Sequence, residues 1–222
     1  IFFPLCGVGS FIMINLEKET SEQPGVLSAL EKVNGETVRA LVADAKSKGV
    51  KNICFAARGT SDHASIYAQY IFGVYAGLPC SLATPSVISK YGAKVEFAPE
   101  MIETVRANRR LLDKFLEEGR IIYGVTTGFG ENVRYTISPA TKTFTSQMYI
   151  LAMLCREWGG SEELARLLSG VPAAVTEVLD TVPAILDGFI GQYKDIKCGT
   201  VLGRGMTYPV ALEGALKILE TN

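Results

Sequence analysis

Hydrophobic positions along this chain alternate between two spacings. Short apolar runs at Asn52–Ala57, Cys80–Thr84 and Ile121–Val125 read as strands, the first with the character of a parallel strand covered on both faces. The segments between them repeat at helical spacing. From Gly25 onward, Val26, Leu27, Leu30, Val33, Val38, Leu41 and Val42 share one face, with Gly35 expected to split it into two short helices and Gly49 to end the second. Glu17–Gln23 before them is a polar connector. Ser61 or Asp62 stands where a helix cap belongs, ahead of Ile66, Tyr70 and Val74 and a stop at Gly77. Pro85-Ser86 ends the second strand. Pro99–Gly119 is amphipathic, with Ile102, Val105, Leu112, Phe115 and Leu116 on one side and the basic residues Arg106, Arg109, Arg110 and Lys114 forming a solvated face.

The third strand leads into Thr126-Thr127-Gly128-Phe129-Gly130, and Asn132–Ile137 predicts a short further strand. Phe144, Met148, Leu151 and Cys155 mark a helix that runs to Gly159-Gly160. Ser161-Glu162-Glu163 then supplies a cap and an acidic first turn for a helix containing Val175, Val178, Leu179, Val182, Ile185, Leu186 and Phe189, broken or kinked near Pro183. A last apolar run from Thr200 reads as a strand before a final helix. Strands alternating with helices predict an α/β fold, a doubly wound parallel sheet with helices on both faces. Ligands of such sheets bind beyond the carboxyl ends of the strands.

Two of these strand–helix joints echo each other. Val50–Ala64 and Thr200–Ala215 each run from apolar residues into Arg-Gly, then a hydroxyl-bearing turn, then an Ala-rich helix start. The glycine permits a sharp turn, and the helix N-terminus behind it offers N–H groups and partial positive charge to a phosphate. Gly59-Thr60-Ser61 therefore reads either as a tight turn with a cap or as a phosphate seat. The repeated Arg-Gly offset favours a ligand-binding α/β unit used twice.

Composition narrows the classes. Of 222 residues, 48% are hydrophobic and 20% charged, with formal net charge −1, which gives ample core material and no basic surface for nucleic acid. The five cysteines (Cys6, Cys54, Cys80, Cys155, Cys198) form no C-x-x-C pair and read as reduced, buried hydrophobes of a cytoplasmic protein. Ile1–Ile14 is apolar but interrupted by Pro4, Gly7 and Gly9 and too short to span a bilayer, so it is expected to pack on the body or on a partner chain. The first residue is not Met, which is compatible with a fragment.

Candidate chemistry is sparse. His63, the only histidine, has no Cys or second His at ligand spacing and reads as a polar helix residue; no metal site is expected. Glu213, Lys217 and Glu220 fall on one helical face, where spacing alone favours a solvated stripe over a proton-transferring carboxylate beside Arg204-Gly205. The glycines of Gly124–Gly130 do not match a dinucleotide fingerprint, and no cofactor is expected.

Taken together, Ala57-Arg58-Gly59-Thr60-Ser61-Asp62-His63-Ala64, Thr84-Pro85-Ser86, Ala140-Thr141-Lys142-Thr143-Phe144-Thr145, Leu202-Gly203-Arg204-Gly205 and Ala211-Leu212-Glu213-Gly214-Ala215-Leu216-Lys217 resemble the sugar isomerase (SIS) family, in particular its glucosamine-6-phosphate synthase and amino-sugar-phosphate deaminase branches. The resemblance covers about Glu22–Phe97 and Ser138–Thr221. It implies a three-layer sandwich around a five-stranded parallel sheet, a homodimer, and a sugar phosphate ligand of the fructose 6-phosphate or glucosamine 6-phosphate class, with no membrane partner. It implies further that Gly59, Thr60 and the Ser138–Thr141 loop, including Ala140, touch the phosphate, and that Glu220 is the proton-transferring base with Glu213 and Lys217 beside it. On this reading residues 1–24 precede an SIS-like domain at 25–195, and 196–222 begin a second unit.

The chain departs from that family after its third strand, where an Ile-Ser-Gln-Ser-Gly-Glu-type loop is absent. Residues 98–130 instead resemble the aromatic amino-acid ammonia-lyases, through Tyr123-Gly124-Val125-Thr126-Thr127-Gly128-Phe129-Gly130, although the Ala-Ser-Gly triplet of those enzymes is missing. Thr126 and Thr127 offer a substitute hydroxyl turn in a chain that reads as recombined, natural or engineered. Ile218-Leu219-Glu220 stands where the SIS family has Leu-Lys-Glu, and the family's ring-opening histidine and C-terminal lysine loop would lie beyond Asn222. The expected function is phosphosugar binding in a catalytically incomplete chain; the alternative is a non-catalytic scaffold whose phosphate site is lost.

Overall fold

A computed structural model of the chain describes residues 20–92, 140–193 and 198–221, with part of 102–118. The predicted strands Ile121–Val125 and Asn132–Ile137 lie outside the described residues, as do Thr126, Thr127 and Ser138. Contacts divide the chain into one unit of Ile1–Ala83 with Pro139–Asn222 and another of Thr84–Ser138.

The first unit is built around a parallel strand pair. Strand β1 (Ile53–Ala56) pairs with β2 (Cys80–Ala83), Ile53 opposite Cys80 through Ala56 opposite Ala83. Helix α2 (Thr60–Ile71) connects them, loosens into a single π turn at Phe72–Ala76 and stops at Gly77, whose φ of 59° is left-handed. The result is a βαβ unit, so the α/β expectation holds. Exposure alternates along β1, leaving Cys54 and Ala56 open and Ile53 and Phe55 half-buried. Among the described residues β1 is therefore covered on one face, against the expectation of two.

Three long helices back this unit. Helix α1 (Gln23–Ser47) packs against α4 (Ala140–Gly159) and α5 (Glu162–Tyr193), and α4 also packs against α2. Leu27, Ile71, Phe72, Met153 and Cys155 are completely buried where they meet. The polar stretch before α1 is already helical at Thr20. Gly35 does not break α1; it is buried within an unbroken helix, because packing outweighs the roughly 1 kcal/mol that a mid-helix glycine costs. The buried stripe is also narrower than the periodicity suggests, since Val33 and Leu41 are exposed. In α4 it runs through Phe144, Tyr149, Ala152, Met153 and Cys155, with Met148 and Leu151 only half-buried.

Helix α5 is capped as expected, Leu164 N–H donating to Ser161 Oγ at 3.1 Å. It then continues through both Pro172 and Pro183. Each proline removes one of many ladder bonds, which is compatible with continuation where neighbouring turns hold the helix. Its second half leaves Val178, Ile185 and Phe189 exposed. The expected strand at Thr200–Leu202 does not form: residues 198–204 have no ladder partner among the described residues, and Val201 and Leu202 are exposed. Helix α6 (Tyr208–Thr221) follows a short 3-10 turn, Gly205–Thr207, and packs against α2.

Cysteine burial is mixed. Cys155 is buried, its thiol donating to Ile71 O at 3.2 Å, and burial pushes its pKa up to about 12; Cys54 and Cys198 are exposed. No described helix is long and apolar enough to cross a membrane.

The second unit contains α3 (Pro85–Ser89) and helical positions between 102 and 117, which agree with the predicted amphipathic helix. Its basic residues are solvated, Arg106 pairing with Glu103 at 2.6 Å and Arg109 with Asp113 at 2.7 Å.

Helix α4 ends against the π turn, and a Cβ on Gly159 would overlap the Tyr75 carbonyl oxygen. Gly159→Ala should therefore destabilise the fold by about 1–3 kcal/mol in urea unfolding. Gly170→Ala, in the interior of α5 with open space around it, should stabilise by about 0.5–1 kcal/mol.

Candidate functional site

The Arg-Gly echo of the sequence is real in the backbone. Gly59 and Gly205 take φ values of 59° and 60°, a left-handed conformation that L side chains rarely adopt. Gly59 is the N-cap of α2, so neither Ser61 nor Asp62 caps that helix; Ser61 Oγ instead turns back to donate to Arg58 O at 2.9 Å. Asp62 lies in the first turn, and Asp62 and His63 close their N–H groups onto Gly59 O. The second turn is braced by Thr207, whose Oγ1 accepts from Arg204 N–H at 3.1 Å and donates to Arg204 O at 2.9 Å. Gly203 just before it has no room for a side chain, since a Cβ would stand 2.6 Å from Thr207 O and 2.7 Å from Ala211 Cβ.

The helices leaving these two turns, α2 and α6, meet at a buried carboxylate. Glu213 is only 4% exposed. Its Oε1 accepts from Thr60 Oγ1 at 2.9 Å and lies 3.4 Å from Lys217 Nζ; its Oε2 lies 2.8 Å from His63 Nδ1. A carboxylate removed from water needs such partners, because burying one unpaired costs several kcal/mol. Along the same two helices a cleft of about 480 Å³ is lined by Ile66, Gln69, Tyr70, Leu82 and Tyr208.

The solvated stripe favoured by spacing is therefore not what the fold makes of Glu213 and Lys217. Docking α6 onto α2 buries the first and half-buries the second. Glu220 falls in the last turn of α6. Ala140 and Thr141 open α4. His63 is the member that sequence reasoning missed. Its partner stands 150 positions away, and the only local signal was its spacing of three residues after Thr60, which places both on one face of α2. Among the described residues no group of three His, Cys, Asp or Glu side chains is arranged to hold a metal.

Comparison with known proteins gives this geometry a setting. The chain is 31% identical to the glutamine–fructose-6-phosphate aminotransferase (isomerizing) of Methanothermobacter thermautotrophicus, over 77% of this chain and 32% of that protein. It is 30% identical to the enzyme of the same description from Aquifex aeolicus, over 91% of this chain and 37% of that protein. It thus spans about a third of the length of the curated relatives it matches. Among solved structures it superposes on a protein assigned as a phosphosugar isomerase from Silicibacter pomeroyi with a TM-score of 0.66 at 23% identity, covering 93% of this chain and 68% of that one. The C-terminal domain of glucosamine-fructose-6-phosphate aminotransferase from Francisella tularensis gives 0.54 at 23% identity, covering 92% and 67%. These likenesses bear out the resemblance to the SIS family and its α/β fold. The aromatic amino acid lyase family model matches residues 81–160, bearing out the second resemblance and extending it beyond 98–130 into α4.

Thr60→Val removes a donor from a buried carboxylate and should destabilise the fold by about 1–3 kcal/mol in thermal or urea melts, whether or not a ligand is present. Gly59→Ala should cost about 1–2 kcal/mol from its left-handed backbone alone, since no neighbouring atom blocks the added methyl.

Proposed function

We propose that this chain, related by sequence to the glutamine–fructose-6-phosphate aminotransferases and by fold to phosphosugar isomerases, binds a sugar phosphate of the fructose 6-phosphate or glucosamine 6-phosphate class at the junction of α2 and α6. The observation that carries this reading is the Glu213 cluster, which draws both Arg-Gly turns into one site. The N-terminus of α2, at Gly59-Thr60-Ser61, is the proposed phosphate seat, because the first N–H groups of a helix have no carbonyl partner one turn back and the helix dipole favours an anion there. Ala140 and Thr141 are its proposed further contacts, and Glu220 the proposed proton-transfer group, with Glu213 and Lys217 as its companions. Assembly as a homodimer in the cytoplasm belongs to the same proposal.

A second reading draws on the lyase-like segment. It spans the place where family members carry their hydroxyl-rich phosphate loop, which favours a fold that keeps its frame while losing part of its site. For the same reason turnover is expected to be absent even where binding persists.

Fructose 6-phosphate at about a hundredfold excess over its Kd should stabilise the native chain by about 2.7 kcal/mol, because only a ligand of the native state raises the melting temperature. No stabilisation by fructose 6-phosphate or glucosamine 6-phosphate, with inorganic phosphate as the control, would leave the scaffold reading. Isomerisation of fructose 6-phosphate, followed by a coupled assay, should not rise above that of a Glu220→Gln variant.

A further inference from the structure

We propose that His63 is a second proton-handling group of this site, in addition to Glu220, with its Nε2 made the reactive nitrogen by the contact between Nδ1 and Glu213. The inference rests on the phosphosugar reading for its ligand, but not for its geometry. Nδ1 stands 2.8 Å from Glu213 Oε2. A carboxylate only accepts hydrogen bonds, so Nδ1 carries the hydrogen and Nε2 of the neutral ring keeps its lone pair. The carboxylate then faces the positive charge that forms when Nε2 takes a proton, the arrangement by which an acid orients an imidazole and stabilises its cation.

Glu213 is itself poorly placed to take a proton from a ligand. Both of its oxygens are engaged, Oε1 by Thr60 and Lys217 and Oε2 by His63. Exposure points the same way: the Glu213 side chain is 6% exposed and the His63 side chain 16%. The imidazole is thus the more open member of the pair. His63 also sits one turn into α2, on the face that begins with Thr60, so a ligand seated on the helix N-terminus would lie within a turn of it. The step assigned to it is simple. Nε2 accepts the proton of a ligand hydroxyl, the O–H electron pair stays on that oxygen, and the imidazolium later returns the proton, so no further reactant is consumed.

His63 is the chain's only histidine, so long-range 1H–15N NMR of the whole chain labelled at histidine reports this ring alone. We expect hydrogen on Nδ1, a bare Nε2 in the neutral ring, and a displaced Nε2 resonance when fructose 6-phosphate binds. A neutral ring with its hydrogen on Nε2 overturns the proposal whatever the sugar does. Calorimetric binding of fructose 6-phosphate with an unmoved Nε2 resonance overturns it too, and leaves the phosphosugar reading standing. If no binding heat appears, that reading fails, and acylation of His63 by diethyl pyrocarbonate decides the dyad. Glu213→Gln should then slow acylation about fivefold, since the ring loses the carboxylate that keeps its hydrogen on Nδ1 and leaves Nε2 bare, and an unchanged rate overturns the assignment. Should Glu213→Gln not fold by circular dichroism, the tautomer of the unsubstituted chain still decides.

Discussion

The constraint on which the site depends is the burial of one carboxylate. Glu213 is held away from water, at an energetic cost that only close donors offset. Those donors come from two helices far apart in sequence, Thr60 and His63 on α2 and Lys217 on α6 itself. The carboxylate is therefore satisfied only when α6 lies on α2. That docking brings the glycine turns that precede the two helices into one neighbourhood. Met206, inside the second turn, packs against the hydrophobic core, so the turn is tied to the frame as well as to the site.

The frame has its own polar tie. Arg156 on α4 grips Glu31 on α1 with two hydrogen bonds, at 3.1 and 2.8 Å, and also reaches Glu157 at 2.8 Å. The hydrogen bond to Glu31 holds the guanidinium pKa above its usual value. A guanidinium fork fixes direction as well as distance, which sets the register of α1 against α4. Nearer the other end, Thr145 Oγ1 donates to the buried Gln23 at 3.0 Å. With these helices in register, α4 supports α2 through the packed Ile71, Phe72 and Cys155, and the β1–α2 joint that carries Thr60 and His63 has a rigid backing.

Two resemblances overlap on α4. The lyase-like match runs through residue 160, while α4 supplies Tyr149, Met153 and Cys155 to the core of a chain that superposes on a solved protein assigned as a phosphosugar isomerase. These statements are physically compatible. A core requires apolar volume at helical spacing and suitable register, and it accepts many sequences that meet those terms. The catalytic side chains of a site are less interchangeable, because each must present a particular atom at a particular distance.

Local pattern alone determined much of this protein. Helical spacing marked α1, α4 and α5, Ser161 marked a cap, the glycine turns marked the joints, and the resemblance of Arg58-Gly59-Thr60 and Arg204-Gly205 pointed to the α/β family. These features are legible because hydrogen bonds along a helix and positive-φ glycines depend on neighbours in sequence. Only the tertiary structure decided that Gly35 and Pro183 would be carried within unbroken helices, and that Thr200–Leu202 would find no ladder partner among the described residues. It also decided the fate of Glu213, which at i, i+4 spacing from Lys217 has the signature of a surface ion pair. Whether such a pair faces water or a second helix depends on how α6 docks, and the partners that make burial tolerable, Thr60 and His63, lie 153 and 150 residues away. No spacing rule reaches that far, because burial depends on packing between helices, not on neighbours along the chain.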